Sequence, residues 1–151
     1  MLHLALYHPA IPQNTGNIAR LCVGMEAHLH VIGPTPFEIS DKTVRRAGLD
    51  YWDNLTITIY ENEDDFLSWL GERVPWLVTK FGDVRFDDAV YKDEDIIILG
   101  NENTGLSDDW HDRWPGRRLF VPMPGPIRSF NLANTAAIVL AQASLRVNGE
   151  K

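Results

Sequence analysis

Ile96-Ile97-Ile98-Leu99-Gly100-Asn101-Glu102-Asn103-Thr104-Gly105-Leu106 is the stretch whose reading decides the architecture. Four large aliphatic residues in a row, without polar alternation, describe a strand buried on both faces, the habit of a parallel sheet. That strand runs directly into a loop where two glycines bracket a carboxylate and two amides. Gly100 permits close backbone approach to a flat ligand. Glu102 has two readings, one facing a cation and one capping a helix. Ligands of open parallel sheets bind beyond the carboxyl ends of the strands, so the glycine-bracketed turn is a candidate site as well as a topological marker.

Short β-rich runs alternate with helical stretches on either side of this segment. Strands are expected over Leu2–Tyr7, Leu29–Ile32 (closed by Gly33-Pro34), Thr56–Tyr60, Trp76–Thr79 and Leu119–Val121. Apolar spacing predicts a helix over Thr15–Glu26, with Ile18, Leu21, Cys22 and Met25 on one side. Ser40 and Asp41 can cap a short helix through Ala47, ended by Gly48. Asn62 caps a helix through about Leu70, with Glu63, Asp64 and Asp65 against the positive end of its dipole. Ser107 caps another short helix. A long C-terminal helix over Asn131–Val147 carries Leu132, Ala136, Val139, Leu140 and Ala143 as its apolar stripe. Strands alternating with helices predict an α/β fold with a mainly parallel sheet flanked by helices.

The 151 residues suit a single domain over 1–151, and no repeat, low-complexity tract or linker divides them. No apolar run is long enough to span a bilayer. The start Met-Leu-His-Leu-Ala-Leu-Tyr lacks the basic beginning and cleavage site of a signal peptide. Cys22, the lone cysteine, has neither a disulfide partner nor a CxxC mate, and it falls on the apolar side of its helix. A cytoplasmic protein without a membrane partner is the simplest reading. A net charge of −7 argues against a general nucleic-acid coat, because RNA affinity comes largely from Lys and Arg meeting phosphates. An RNA enzyme of this charge must gather basic residues on one face, from candidates Lys42, Arg45, Arg46, Lys80, Arg117, Arg118 and Arg128.

Several common sites are absent. No G-x-G-x-x-G follows the first strand, and there is no G-x-x-x-x-G-K-[ST] and no G-x-S-x-G elbow. The five histidines match no common metal spacing, and no metal is expected. His28 and His30 fall on the same or opposite faces of a strand depending on the turn.

Two further loops carry polar density at strand ends. Pro12-Gln13-Asn14-Thr15-Gly16-Asn17-Ile18-Ala19-Arg20 enters a helix N-terminus, whose free N–H groups suit an anion. Arg20 lies one and a half turns in and can reach back toward that mouth. Val121-Pro122-Met123-Pro124-Gly125-Pro126-Ile127-Arg128-Ser129-Phe130-Asn131-Leu132-Ala133-Asn134 is stiffened by three prolines. It offers an apolar wall, and Ser129 and Asn131 either bind a ligand or cap the last helix.

These three strings, in this order and together with the Arg-Arg-Ala-Gly-Leu-Asp-Tyr segment within Lys42–Tyr51, resemble the SPOUT superfamily of RNA methyltransferases. Within it they are most similar to the small tRNA (cytidine/uridine-2′-O-)-methyltransferases that act at the wobble position of the anticodon stem-loop. The similarity covers almost the whole chain. It implies a sheet whose C-terminal segment threads a loop in a deep trefoil knot, against the general rule for protein chains, and a homodimer. It implies S-adenosylmethionine held by Val78, Gly100, Val121 and Ser129, largely through the backbone, with Glu102 beside them. Arg20 matches the family's motif arginine, and Ser129 and Asn131 match its Ser-x-Asn element. Asn14 would fix the loop around Arg20. Where many relatives have Gly-Pro-Glu, this chain has Gly100-Asn101-Glu102. The small residues Ala133, Ala136, Ala137 and Ala143 suggest a helix face for the dimer.

The chemistry implied is in-line displacement at a sulfonium methyl. Holding oxygen, carbon and sulfur collinear can supply about 7–11 kcal/mol of the barrier. A free guanidinium is a poor base. Arg20 is therefore either strongly perturbed, or it polarises the hydroxyl and anchors the adjacent phosphate while another group takes the proton. Competing readings are 2′-O-methylation of another tRNA position or of ribosomal RNA, a non-catalytic RNA-binding protein on the same fold, and a small-molecule α/β enzyme.

Overall fold

The computed structural model describes residues 1–40, 42–47 and 49–149. The caps expected at Asp41 and Gly48, and the side chain of Arg45, lie outside what it describes. Seven strands form one sheet: β1 (His3–Tyr7), β2 (His28–Ile32), β3 (Ile57–Tyr60), β4 (Trp76–Val78), β5 (Val84–Arg85), β6 (Ile96–Leu99) and β7 (Arg118–Phe120). Their order is β3-β2-β1-β6-β4-β7-β5 and every pairing is parallel. Helices α1 (Pro12–Gly24), α2 (Lys42–Ala47), α3 (Glu63–Leu70), α4 (Asp108–Arg113) and α5 (Leu132–Asn148) flank it, with a 3₁₀ turn over Leu49–Asn54.

The Ile96–Leu99 run is buried along its whole length, as its composition requires. Alternate residues feed two cores. Ile97 and Leu99 join Leu4, Leu6, Leu29 and Val31 under α1 and α5, while Ile96 and Ile98 join Ala5, Tyr7 and Leu77 beneath α3 and α4. Cys22 belongs to the first core, and burial pushes its thiol up to about 12.

Helix starts follow their side chains where a local cap exists. Asn62 Oδ1 accepts from Asp65 N at 2.9 Å, and Ser107 Oγ accepts from Trp110 N at 3.3 Å. Asn131 Oδ1 accepts from Ala133 N at 2.8 Å. Helix α1 departs from expectation. It begins at Pro12 rather than Thr15, because proline suits the first helical position, and Ile11 before it supplies no side-chain cap.

Strand β5 is too short to show a periodic pattern, and its placement depends on a crossing. Residues 79–83 carry the chain from one edge of β7 to the other. Thr79 N donates to Leu119 O at 2.9 Å, and Asp83 N donates to Arg118 O at 3.1 Å. A Cβ on Gly82 would lie 2.5 Å from the Leu119 carbonyl carbon, so only glycine lets the two backbones cross. One stretch of chain thus clasps β7 on both edges.

Candidate active site

A cavity of about 570 Å³ opens beyond the carboxyl ends of β4, β6 and β7. That is within the range of small-molecule sites, roughly 300–1,000 Å³. Val78, Gly100, Val121 and Ser129 all line it, as do Asn14, Glu102 and Asn131. Leu99, Leu106, Met123 and Leu132 give it apolar walls. All three loops singled out in the sequence therefore meet at one place.

A chain of polar contacts draws them together. Glu102 Oε1 accepts from Ala10 N at 2.9 Å, and its Oε2 accepts from Ile11 N at 2.8 Å and from Asn14 Nδ2 at 3.4 Å. The Asn14 amide oxygen in turn accepts from Asn131 Nδ2 at 3.0 Å. Glutamate, asparagine and asparagine each come from a different loop. Glu102 therefore holds the turn that enters α1, accepting from the N-cap amide of Ile11 and the amide before it, 91 and 92 residues away, and its negative charge suits a helix N-terminus. Of its two sequence readings, helix capping is the one these contacts fit.

Gly100 is where the second loop closes on itself. Asn101 and Gly105 exchange backbone bonds at 3.1 and 2.9 Å, and Asn101 Oδ1 accepts from Asn103 N at 2.7 Å and Thr104 N at 3.0 Å. A Cβ at position 100 would stand 2.6 Å from the Gly105 carbonyl carbon. Asn101 also donates from Nδ2 to His8 O at 2.6 Å. Asn101 thus anchors the turn.

Among the lining residues that the sequence reading did not single out are a threonine and a histidine in contact with each other. Thr79 follows β4 and His111 stands on α4, and Thr79 Oγ1 lies 2.9 Å from His111 Nε2. They are 32 residues apart in sequence, and no motif joins them. Phe81, 69% exposed, stands at the same rim.

Arg20 is not among the residues lining the cavity. It is exposed on α1, its guanidinium 5.0 Å from the centre of the Tyr51 ring. It stands six positions along the helix from Asn14, a rise of about 9 Å.

The basic residues divide by what they touch. Arg117 lies 3.6 Å over the Trp76 ring and donates to the Val74 and Pro75 carbonyls. Burial lowers its pKa from the ordinary arginine value. Arg118 faces Asp83 at 3.6 Å. Lys42, Arg46, Lys80 and Arg128 are exposed. On α5, Ala136 and Ala143 are fully buried in the chain's own core. The expected small-residue dimer face is thus reduced to Ala133 and Ala137, both half-buried.

Comparison with known proteins follows the same lines. The SpoU rRNA Methylase family matches residues 1–141. A Listeria innocua protein provisionally named tRNA (cytidine(34)-2′-O)-methyltransferase is 43% identical over 147 residues, covering 95% of this chain and 86% of that protein. A solved structure described as giving insights into 2-OH methylation of C/U34 on tRNA superposes with a TM-score of 0.93 at 35% identity, covering 99% and 98% of the two chains. An AdoMet-bound rRNA methyltransferase from Sinorhizobium meliloti gives a TM-score of 0.83 at 25% identity, covering 94% of this chain and 55% of that one.

Proposed function

Because this chain belongs to the SpoU rRNA methylase family, we propose that it methylates the ribose 2′-hydroxyl of the wobble nucleotide, cytidine or uridine 34, in the anticodon loop of tRNA, using S-adenosylmethionine. The observation that carries this reading is the Glu102–Asn14–Asn131 chain, which fastens three loops from distant parts of the sequence around one cavity. The names of the relatives supply the substrate.

The donor set suits this cofactor. A cleft of cofactor size takes a flat base and a thioether chain against Leu99, Leu106, Met123 and Leu132, and backbone groups beside Gly100 and Val121 take its polar edges. When bound, S-adenosylmethionine supplies an electrophilic methyl group whose loss leaves a neutral thioether. Val78, Gly100, Val121 and Ser129 hold it. Asn14 and Asn131 keep the rim of the cavity in register. Glu102 acts as a tie between loops, with both of its oxygens engaged by backbone amides.

Arg20 works across a homodimer. Standing outside its own chain's cavity, it serves the cavity of a second copy, so that Arg20 of the partner subunit completes each site. Its planar fork polarises the ribose hydroxyl and anchors the neighbouring phosphate. The whole chain acts as one domain, in the cytoplasm with its tRNA. No described helix is long and apolar enough to cross a membrane. The C-terminal segment threads a loop in a deep trefoil knot.

Incubation with methyl-labelled S-adenosylmethionine and total RNA, containing both tRNA and ribosomal RNA, tests the proposal. Label is expected on the ribose of nucleotide 34, mapped by mass spectrometry. Label confined to ribosomal RNA or to another tRNA position would replace the substrate, and label in no RNA would remove the activity.

A further inference from the structure

At the opposite end of the sheet from the cavity, three imidazoles converge. His3 opens β1, His28 opens β2 directly opposite it, and His30 follows two residues along on the same face. The sequence spacing hid this, because the ligand set is assembled by strand pairing rather than by a helix or a turn. One ring nitrogen from each histidine lies within 4.8 Å of the others. His3 Nδ1 and His30 Nε2 are 2.9 Å apart. His3 and His30 are buried, at 7% and 0% exposure, and His28 is half-buried. Trp69 of α3 covers the group, its ring 4.3 Å from His30 and 5.3 Å from His3.

The outward nitrogens are all occupied by oxygen. Glu94 Oε2 lies 2.8 Å from His3 Nε2. The Tyr60 hydroxyl lies 2.8 Å from His30 Nδ1, and Thr58 Oγ1 lies 2.8 Å from His28 Nε2. Metal-bound histidines characteristically give their second N–H to such an oxygen, which fixes the tautomer and points the free lone pair inward. Here a carboxylate, a phenol and a hydroxyl stand ready to accept those three protons, leaving His3 Nδ1, His30 Nε2 and His28 Nδ1 as donor atoms.

The geometry points to a binding site for one divalent transition-metal ion of the zinc class, held by His3, His28 and His30, with Glu94 orienting His3. Neutral imidazole nitrogen suits zinc and its neighbours in the first transition row. With Zn–N bonds of about 2.0–2.1 Å, tetrahedral ligand nitrogens stand about 3.4 Å apart, so His3 Nδ1 and His30 Nε2, now hydrogen-bonded at 2.9 Å, give up the proton between them and part slightly as the ion enters, while the three donor atoms already lie within 4.8 Å of one another. A second movement is required. The His28 ring is stacked on His30 at 4.0 Å and 20°, and it must turn out of the stack to aim its lone pair at the shared ion. His28 is the least buried of the three. The ion would lock the first residues of β1 and β2 together beneath α3. It lies remote from the proposed methyl transfer and does not depend on that reading.

The full-length protein, stripped with chelator and dialysed, is titrated with zinc against a chromophoric competitor and with cobalt by absorbance. One ion per chain is expected, with a zinc Kd of about 1 µM or tighter, a rise in Tm on binding, and the visible absorption of tetrahedral cobalt. His28→Gln, at the more exposed position, keeps the fold and should weaken zinc by at least about tenfold. His111→Gln, far from the cluster, should leave it unchanged. Zinc binding that is absent, or equally strong in the His28→Gln protein, would overturn the site. Binding lost in His111→Gln instead would do the same. If His28→Gln proves misfolded by circular dichroism, cobalt decides on the unmodified protein: histidine ring protons of three residues shift paramagnetically, and their remaining unshifted overturns the inference.

Discussion

Replacing Glu102 by glutamine removes one charge and exchanges one acceptor oxygen for an amide donor. In the native protein the two carboxylate oxygens accept from Ala10 N at 2.9 Å and Ile11 N at 2.8 Å. These amides belong to the N-cap residue Ile11 and to Ala10 before it, at the entry to a helix that has no side-chain cap of its own. Glutamine can satisfy one of them, and its NH₂ then faces the other, donor against donor. Losing a hydrogen bond to a charged group costs about 1.5–3 kcal/mol. The lost charge at the helix N-terminus adds roughly 0.3–1 kcal/mol. Water reaches Ile11, which is 37% exposed, and recovers part of the loss. The expected net destabilisation is about 2–3 kcal/mol. For a chain of this length, where each kcal/mol moves Tm by about 2–4 °C, the fall is roughly 5–10 °C. Urea denaturation should show a lower midpoint at unchanged slope. Calorimetry should show S-adenosylmethionine binding weakened by about tenfold, because the first and third loops lose their shared anchor through Asn14. Stability within about 0.5 kcal/mol of the parent, the usual range for a neutral surface change, would refute the capping role. Weakened cofactor binding at full stability would instead make Glu102 a direct ligand.

Other perturbations address the remaining parts of the site. Gly100→Ala drives a Cβ to 2.6 Å from backbone that cannot rotate away, so the loop must shift; overpacking of this kind costs about 1–3 kcal/mol, and cofactor affinity should fall with it. Unchanged affinity by calorimetry would show that the turn has slack. Arg20→Lys keeps the charge and loses the fork. Turnover on tRNA should drop at least about tenfold with S-adenosylmethionine binding unchanged, and wild-type turnover would leave Arg20 without a specific chemical role. Cys22 should resist thiol reagents until the protein unfolds, since it is fully buried and its thiol is pushed up to about 12. The sign of its pH effect follows. The unfolded chain ionises this thiol from about pH 9 and the folded chain does not, so stability is intact below that pH and falls as pH rises toward 12, by up to about 1.4 kcal/mol per unit. Cys22→Ala should flatten that alkaline slope in denaturant titrations, and a slope identical to the parent's would assign it to other groups.

Elements with a local cause were legible. Asn62, Ser107 and Asn131 each carry a side chain that caps the helix following it, and a capping oxygen acts within three residues of its own position. Ile96–Leu99 announced a buried strand because both of its faces had to be apolar. Helix α1 starts three residues earlier than its apolar spacing indicates, because proline suits its first position, and its entry turn is held by Glu102, a partner no window of sequence contains. Strand β5 escaped because two residues show no period. The cavity's composition was readable from three motif strings, yet Thr79 and His111 were not, since their meeting depends on how α4 packs behind β4. Arg20 was expected at the mouth of the cavity and stands outside that of its own chain.

Local chemistry in the chain settles its class, its strand-helix alternation, its buried central strand and the family it resembles, because hydrophobic period, capping residues and contiguous motifs all act over a few neighbours. Only the folded molecule decides which side of the sheet each strand joins, that Gly82 crosses β7, that Glu102 closes a helix far away in the chain, and that His3 meets His28 and His30. Those are contacts between segments whose separation in sequence leaves no local energetic trace. They form because parallel pairing and burial bring strand ends together, and the cavity and the histidine cluster both lie at such ends.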